Sequence, residues 1–263
     1  MQKDLKGYYA KGNIKCIEDV DDTPVIFEIW VRMPQTPELF PSYHYIEQFP
    51  GFDVERQTTK YQKSEKWCNG KCQWVKTEGE GSRYKNLYLL DYEKMQKEGL
   101  PSSLIIGQMD YAQRSFLLHY GRLIEMEHSF IPAMMFHPKI KFYQKEQQEP
   151  YKGCLVFKQT EKVPKVNSID AKVWLDPSNG IMRRYERIES FEKWKPNKIV
   201  MEIIDLKVNP PQLESMSFDF TPPPDAPIRD ETELVVKGYQ GTQKELEKGG
   251  KFFSVSIVVP DDK

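Results

Sequence analysis

Residues 25–33, Val-Ile-Phe-Glu-Ile-Trp-Val-Arg-Met, alternate with period two. Val25, Phe27, Ile29, Val31 and Met33 make one side of this segment wholly apolar, so it reads as a strand with one face on a core. Pro34 ends it. Residues 43–49, 140–145, 153–161, 168–175, 181–190 and 198–208 are further strand candidates. Asp176-Pro177-Ser178-Asn179-Gly180 is turn chemistry between two of these segments. Within residues 56–78, Asn69-Gly70 suits the two positive-φ positions of a type I′ hairpin turn. That turn would set Trp67 opposite Cys72 and Cys68 opposite Lys71.

The pattern changes in the middle of the chain. Residues 86–98 read as a helix stopped by Gly99-Leu100-Pro101, and Ser102 or Ser103 can cap a second helix over 104–120. In that second helix Ile105, Met109, Ala112, Phe116 and Tyr120 form one apolar stripe. Residues 128–138 are apolar but irregular and contain two prolines. Strands then return in a meander. Residues 218–224 read as a short strand entering a polyproline stretch. Residues 233–239 and 252–259 are two further strand candidates, joined by a polar segment with several glycines. Strands, then helices, then strands predict an α+β fold with one large, curved antiparallel sheet and helices gathered on one side.

Composition narrows the functional classes. Lys+Arg is 38 and Asp+Glu 39, a net charge of −1, so no broad basic face recommends nucleic acid as a partner. No apolar run reaches membrane-spanning length, so the chain does not read as an integral membrane protein. The N-terminal residues show no signal-peptide pattern, so the chain is cytoplasmic or begins after a removed signal. Four cysteines are too few for a disulfide scaffold. Cys68 and Cys72 flank the hairpin tip and are a disulfide candidate, with two unpaired thiols as the other reading. His44, His119, His128 and His137 lack metal-ligand spacing, so no metal is expected. No nucleophile elbow, phosphate loop or dinucleotide fingerprint appears, and Glu125, Glu127 and His128 form only an acidic patch. The chain therefore does not read as an enzyme, and no cofactor is expected.

Four stretches together resemble the LolA-type lipoprotein carriers and their LppX-like and RseB-like relatives. Trp30-Val31-Arg32-Met33-Pro34 is similar to that family's strand ending. Asn69-Gly70-Lys71 with Trp74 resembles its hairpin. Val173-Trp174-Leu175-Asp176 followed by Asn179-Gly180 resembles its strand–turn–strand unit. Phe218-Asp219-Phe220-Thr221-Pro222-Pro223-Pro224 resembles its Phe-x-Phe end. The resemblance covers residues 12–228.

The resemblance implies a strongly curved antiparallel sheet, an open or half β-barrel, with a helical lid on its concave face. Lipid or lipoprotein acyl chains would lie between sheet and lid. It divides the chain into a binding domain, 1–228, and an extension, 229–263, packed on the same domain. It implies the bacterial periplasm or cell envelope as the location, if a signal peptide is removed. A membrane-bound delivery or acceptor protein would be a further partner. Phe27, Ile29, Val31 and Trp174 are the sheet candidates for the binding face. Met109, Phe116, Met134, Met135 and Phe136 are the lid candidates. Met95, Met109, Met126, Met134 and Met135, half of the chain's 10 methionines, fall in the segment that would supply the lid, and methionine suits adaptable apolar surfaces. Each of these residues could equally be packed core. Arg32 is the lid-latch candidate, although it stands one residue before the family's basic position, and a one-residue shift turns a strand side chain to the opposite face. A second reading keeps the fold but plugs its interior, leaving a sensor or protein-interaction module.

Overall fold

The computed structural model describes residues 5–16, 24–34, 40–53, 58–78, 87–100, 141–163, 166–179, 181–190 and 196–247. The first half supplies β1 (Gly7–Cys16), β2 (Val25–Arg32), β3 (Ser42–Asp53), β4 (Thr58–Cys68), β5 (Cys72–Glu78) and β6 (Leu87–Asp91). A short helix, α1 (Tyr92–Lys97), follows. The second half supplies β7 (Lys141–Lys145), β8 (Leu155–Val163), β9 (Val166–Leu175), β10 (Met182–Ser190) and β11 (Asn197–Val208). A one-turn helix, α2 (Gln212–Ser215), then β12 (Ile228–Asp230) and α3 (Thr232–Glu247) complete the described chain.

All 12 strands belong to one sheet in the order β12-β6-β5-β4-β3-β2-β1-β11-β10-β9-β8-β7. The sheet is curved and not closed. Each half of the chain is a meander, and the halves join where β1 pairs with β11. Every pairing is antiparallel except that of β12 with β6. One consequence is topological. β6 lies near one edge and β7 forms the other, so residues 92–140 connect opposite ends of the sheet.

Alternation gives the sheet an inner and an outer face. Tyr8, Ala10, Phe27, Ile29, Val31, Tyr43, Tyr45, Val173, Tyr185, Met201 and Ile203 point inward into one apolar cluster. Tyr92 and Met95 of α1 and Val235 and Val236 of α3 join it, so both helices cover the inner face. Asp91 caps α1 by accepting from Lys94 N at 2.8 Å. The Thr232 hydroxyl accepts from Asp91 N at 2.9 Å, tying the start of α3 to the start of α1.

Close approach at the β1–β11 seam requires glycine. A Cβ on Gly12 would stand 2.0 Å from the Glu202 carbonyl oxygen and 2.6 Å from Phe27 Cζ. The register also shifts between Lys11 and Gly12, which leaves Ile204 without an opposing residue and exposed.

Several elements differ from the sequence expectation. Residues 7–16 form the central strand, although they are not among the segments read as strands from the sequence. The helix expected over 86–98 begins only at Tyr92, because Leu87–Asp91 pairs with β5 and β12. Residues 233–239 are helical, not extended. Their Val235–Val236 pair faces α1 and β6, and this tertiary contact overrides β-branched propensity. Residues 218–224 form no strand. The candidate strand 252–259 and the helix 104–120 lie outside the described residues.

Candidate functional site

β2 places Phe27, Ile29 and Val31 on the inner face, each fully buried. Their neighbours across the sheet follow from register. Val31 lies between Tyr8 and Tyr43, Ile29 between Ala10 and Tyr45, and Phe27 between Gly12 and Glu47. The Phe27 and Tyr45 rings lie 6.4 Å apart at 17°. The three β2 candidates are therefore brought together, with Tyr92 and Met95 in the same cluster.

Trp174 does not join them. Val173 and Leu175 face inward, so alternation turns Trp174 to the outer face. There it packs with Cys154 and Val156. Its Nε1 donates to Glu146 Oε2 at 2.9 Å, which helps hold the Glu146 carboxyl below its usual range. The Arg184 guanidinium sits 5.3 Å from the Trp174 ring and 5.6 Å from that of Tyr151. Trp174 is thus a wall of a polar-aromatic cluster and not of the inner face. Met109, Phe116, Met134, Met135 and Phe136 lie outside the described residues.

Arg32 likewise points away from Phe27, Ile29 and Val31. Its Nη2 donates to the carbonyl oxygens of Leu213 and Met216, the latter at 2.7 Å, and the guanidinium stands 4.8 Å from the Phe218 ring. It fastens the segment after β11 across the outer face. Phe220 of the same segment stacks on Trp67 at 4.4 Å and meets Trp74 at 5.7 Å. The Phe-x-Phe motif is therefore a strap over an outer-face row in which Tyr9, Trp30, His44, Trp67 and Trp74 are successive register partners.

The hairpin tip also differs from expectation. Cys68 pairs with Gln73 and Trp67 with Trp74, which leaves four residues between Cys68 and Gln73. Only Gly70 has positive φ, 89°. Asn69 Oδ1 accepts from Lys71 N at 3.0 Å and Cys72 N at 3.1 Å, a side-chain-closed turn in place of type I′. Cys68 and Cys72 are free thiols, so the disulfide reading is corrected. Cys68 turns into the inner cluster, where burial pushes its pKa up to about 12. Cys72 opens β5 opposite Asp91, with Sγ 3.7 Å from Asn69 Oδ1.

A charged group on the inner face was missed from sequence. Lys66, its side chain 6% exposed, lies 3.5 Å from Glu47 Oε1, and the Glu47 side chain is 19% exposed. The Tyr45 hydroxyl donates to Glu47 Oε2 at 3.0 Å. Ser64 is buried on the same strand and pairs with Glu47 in register. Burial lowers the Lys66 pKa, with Glu47 opposing that shift, and burial raises the Tyr45 pKa well above its usual range. The strand Thr-Thr-Lys-Tyr-Gln-Lys-Ser-Glu-Lys-Trp-Cys shows no apolar alternation, so only pairing with β3 reveals which lysine faces inward. Among the described residues no group of His, Cys, Asp and Glu could hold a metal ion. No described helix is long and apolar enough to cross a membrane.

His44 offers a pH test of the outer row. Its ring stacks on Trp67 at 5.2 Å, and burial lowers its pKa from 6.5. The unfolded chain then binds that proton more readily than the fold does. His44's contribution is complete above the unfolded value and is lost as pH falls from there toward the folded value. Thermal midpoints measured at about pH 7 and about pH 5 should fall together with pH, and His44→Phe should flatten part of that fall. An unchanged slope in the variant would remove His44 as a cause.

No family model matches this chain, and no curated protein matches it. Among solved structures it is similar to an outer membrane lipoprotein-sorting protein domain from Vibrio parahaemolyticus, at 8% identity and a TM-score of 0.28. It is also similar to a DUF1329 family protein from Desulfovibrio piger ATCC 29098, at 8% identity and a TM-score of 0.31. Each match covers 79% of this chain and 87% of the other.

Proposed function

We propose that this protein binds and shuttles lipid or lipoprotein acyl chains between the inner face of its sheet and a lid formed within residues 101–140. The observation that carries the reading is the topology. An open sheet has one apolar face, and the chain that joins its two far edges starts on that face with α1. This connection is methionine-rich in sequence. The motif resemblance to LolA-type carriers supports the same reading. Binding would be noncovalent, with no bond made or broken, and burial of each methylene would contribute about 0.8 kcal/mol.

In this reading residues 1–228 are the binding domain. The extension, 229–263, belongs to the same unit, as the packing of Val235 and Val236 with Met95 supports. Met109, Phe116, Met134, Met135 and Phe136 line the lid side, and Phe27, Ile29 and Val31 the sheet side. The location is the bacterial periplasm or envelope, where such cargo would pass to a membrane-bound acceptor.

A second reading has its own support. Phe27, Ile29 and Val31 already pack among Tyr8, Tyr43 and Tyr45, as a plugged interior requires, and the outer face carries the aromatic row described above. In that case the fold is a sensor or protein-interaction module.

Native mass spectrometry of the full chain, before and after incubation with phospholipid vesicles, separates the two readings. Carriage requires adducts of acyl-lipid mass, and Met134→Asp should weaken them while circular dichroism of the sheet stays unchanged. If no lipid co-purifies or binds under any condition, carriage is wrong. If Met134→Asp unfolds the protein, Met134 is core.

A further inference from the structure

The outer aromatic row contains the same step twice, and the strap fills one of the two. Trp67 and Trp74 are register partners on β4 and β5, and Phe220 meets both rings, at 4.4 Å and 5.7 Å. Two strands back along the row, Trp30 and His44 are register partners on β2 and β3. Their rings engage opposite neighbours. Trp30 lies 4.4 Å from the Tyr9 ring, and His44 stacks on Trp67 at 5.2 Å. Among the described residues no third ring meets both Trp30 and His44, as Phe220 meets both Trp67 and Trp74.

The Trp30–His44 step also has unused chemistry. Trp30 is only half-buried, whereas Tyr9 beside it is 7% exposed. His44 Nε2 is buried and has no hydrogen-bond partner among the described residues, a state that buried polar atoms rarely keep. Ile46, two residues along β3 on the same face as His44, is half-buried and widens the apolar surface. The filled step shows what kind of occupant fits. Residues 216–221 form neither helix nor strand, and Asp219 and Thr221 on either side of Phe220 are exposed. The contact is therefore one aromatic side chain carried on an irregular backbone. A ring of this kind buries a large area with few rotatable bonds, and such an anchor dominates the energy of a peptide contact.

We propose that the Trp30–His44 step docks an extended segment of a partner protein, which seats one aromatic side chain there as the strap seats Phe220 at the neighbouring step. The row continues unbroken in register from the filled step to the open one, so the same chemistry is offered at both. This proposal does not rest on the acyl-binding reading. The site is on the opposite face of the sheet from Phe27, Ile29 and Val31, and it serves a carrier and an interaction module alike.

The probe is a peptide of the strap sequence, Ser-Phe-Asp-Phe-Thr-Pro-Pro-Pro, with a counterpart in which both Phe are Ala. Each is mixed with the full chain, and binding is read from broadening of the peptide's NMR signals. Wild type should bind the probe at least about tenfold more tightly than the counterpart, and Trp30→Ala should remove that difference. Trp74→Ala, at the step the strap already fills, should keep it. No binding to wild type at about 1 mM peptide overturns the proposal. So does a preference that survives Trp30→Ala; if Trp74→Ala abolishes it instead, the probe has merely exchanged with the strap. A wild-type dimer in sedimentation that Trp30→Ala dissolves also overturns it, because the step then belongs to a second copy. If Trp30→Ala does not fold, wild type is photo-crosslinked to a probe carrying benzophenone in place of the second Phe ring. Attachment on β2 or β3 supports the site, and attachment elsewhere, or none, overturns it.

Discussion

Gly12→Ala is expected to destabilise the protein by about 3 kcal/mol or more, a severe effect for one methyl group. The added Cβ would stand 2.0 Å from the Glu202 carbonyl oxygen, and backbone in a paired strand cannot swing aside as a side chain can. The Phe27 ring, 2.6 Å from the same point, closes the other direction. Relief therefore means opening the β1–β11 seam, the one junction between the two meanders. Urea unfolding should show a lower midpoint with an unchanged slope. Gly238→Ala is the control, since nothing lies within 4 Å of its added carbon and helix propensity favours alanine. A Gly12→Ala midpoint matching wild type would mean that the seam yields.

Ile29→Ala is expected to cost about 2–5 kcal/mol, whereas Ile26→Ala should cost clearly less. The two residues share a strand and a side-chain type. Ile29 is completely buried among inner-face residues, while Ile26 is half-buried on the outer face opposite Asn13. Truncating Ile29 leaves a cavity beside Tyr45 that the sheet, held by strands on both sides, cannot collapse to fill. Denaturant unfolding of the two variants measures the difference. Equal costs would mean that the inner face gives no more burial than the outer, contrary to the two-faced sheet. The comparison also bears on carriage, because an inner face that is pure core should lose stability at Ile29 without any change in lipid binding.

Local signals in the chain were enough for much of this architecture. Period-two alternation located β2, because a half-buried strand must alternate wherever it lies, and the segments that became β8, β9, β10 and β11 were legible as strand candidates. Pro34 and the Asp176–Asn179 turn marked ends that depend on backbone chemistry alone. The apolar side of β2 was legible for the same reason, and Phe27, Ile29 and Val31 are buried together.

What depended on partners was not legible. β1 carries little apolar alternation, and it became the central strand because β2 and β11 flank it on both sides. Val235 and Val236 favour strands in isolation and became helical against α1. Trp174 and Arg32 were assigned by motif, yet a strand's two sides are named only once its neighbours' register is known. Lys66 is one of four lysines between Lys60 and Lys71, and nothing local separates it from the other three. Sequence by itself determined which segments are extended and which side of β2 is apolar, since both follow from residue spacing. Tertiary structure alone decided which strands pair, which helices cover the inner face and which charges are buried, Lys66 among them, because those outcomes rest on contacts between residues far apart in the chain.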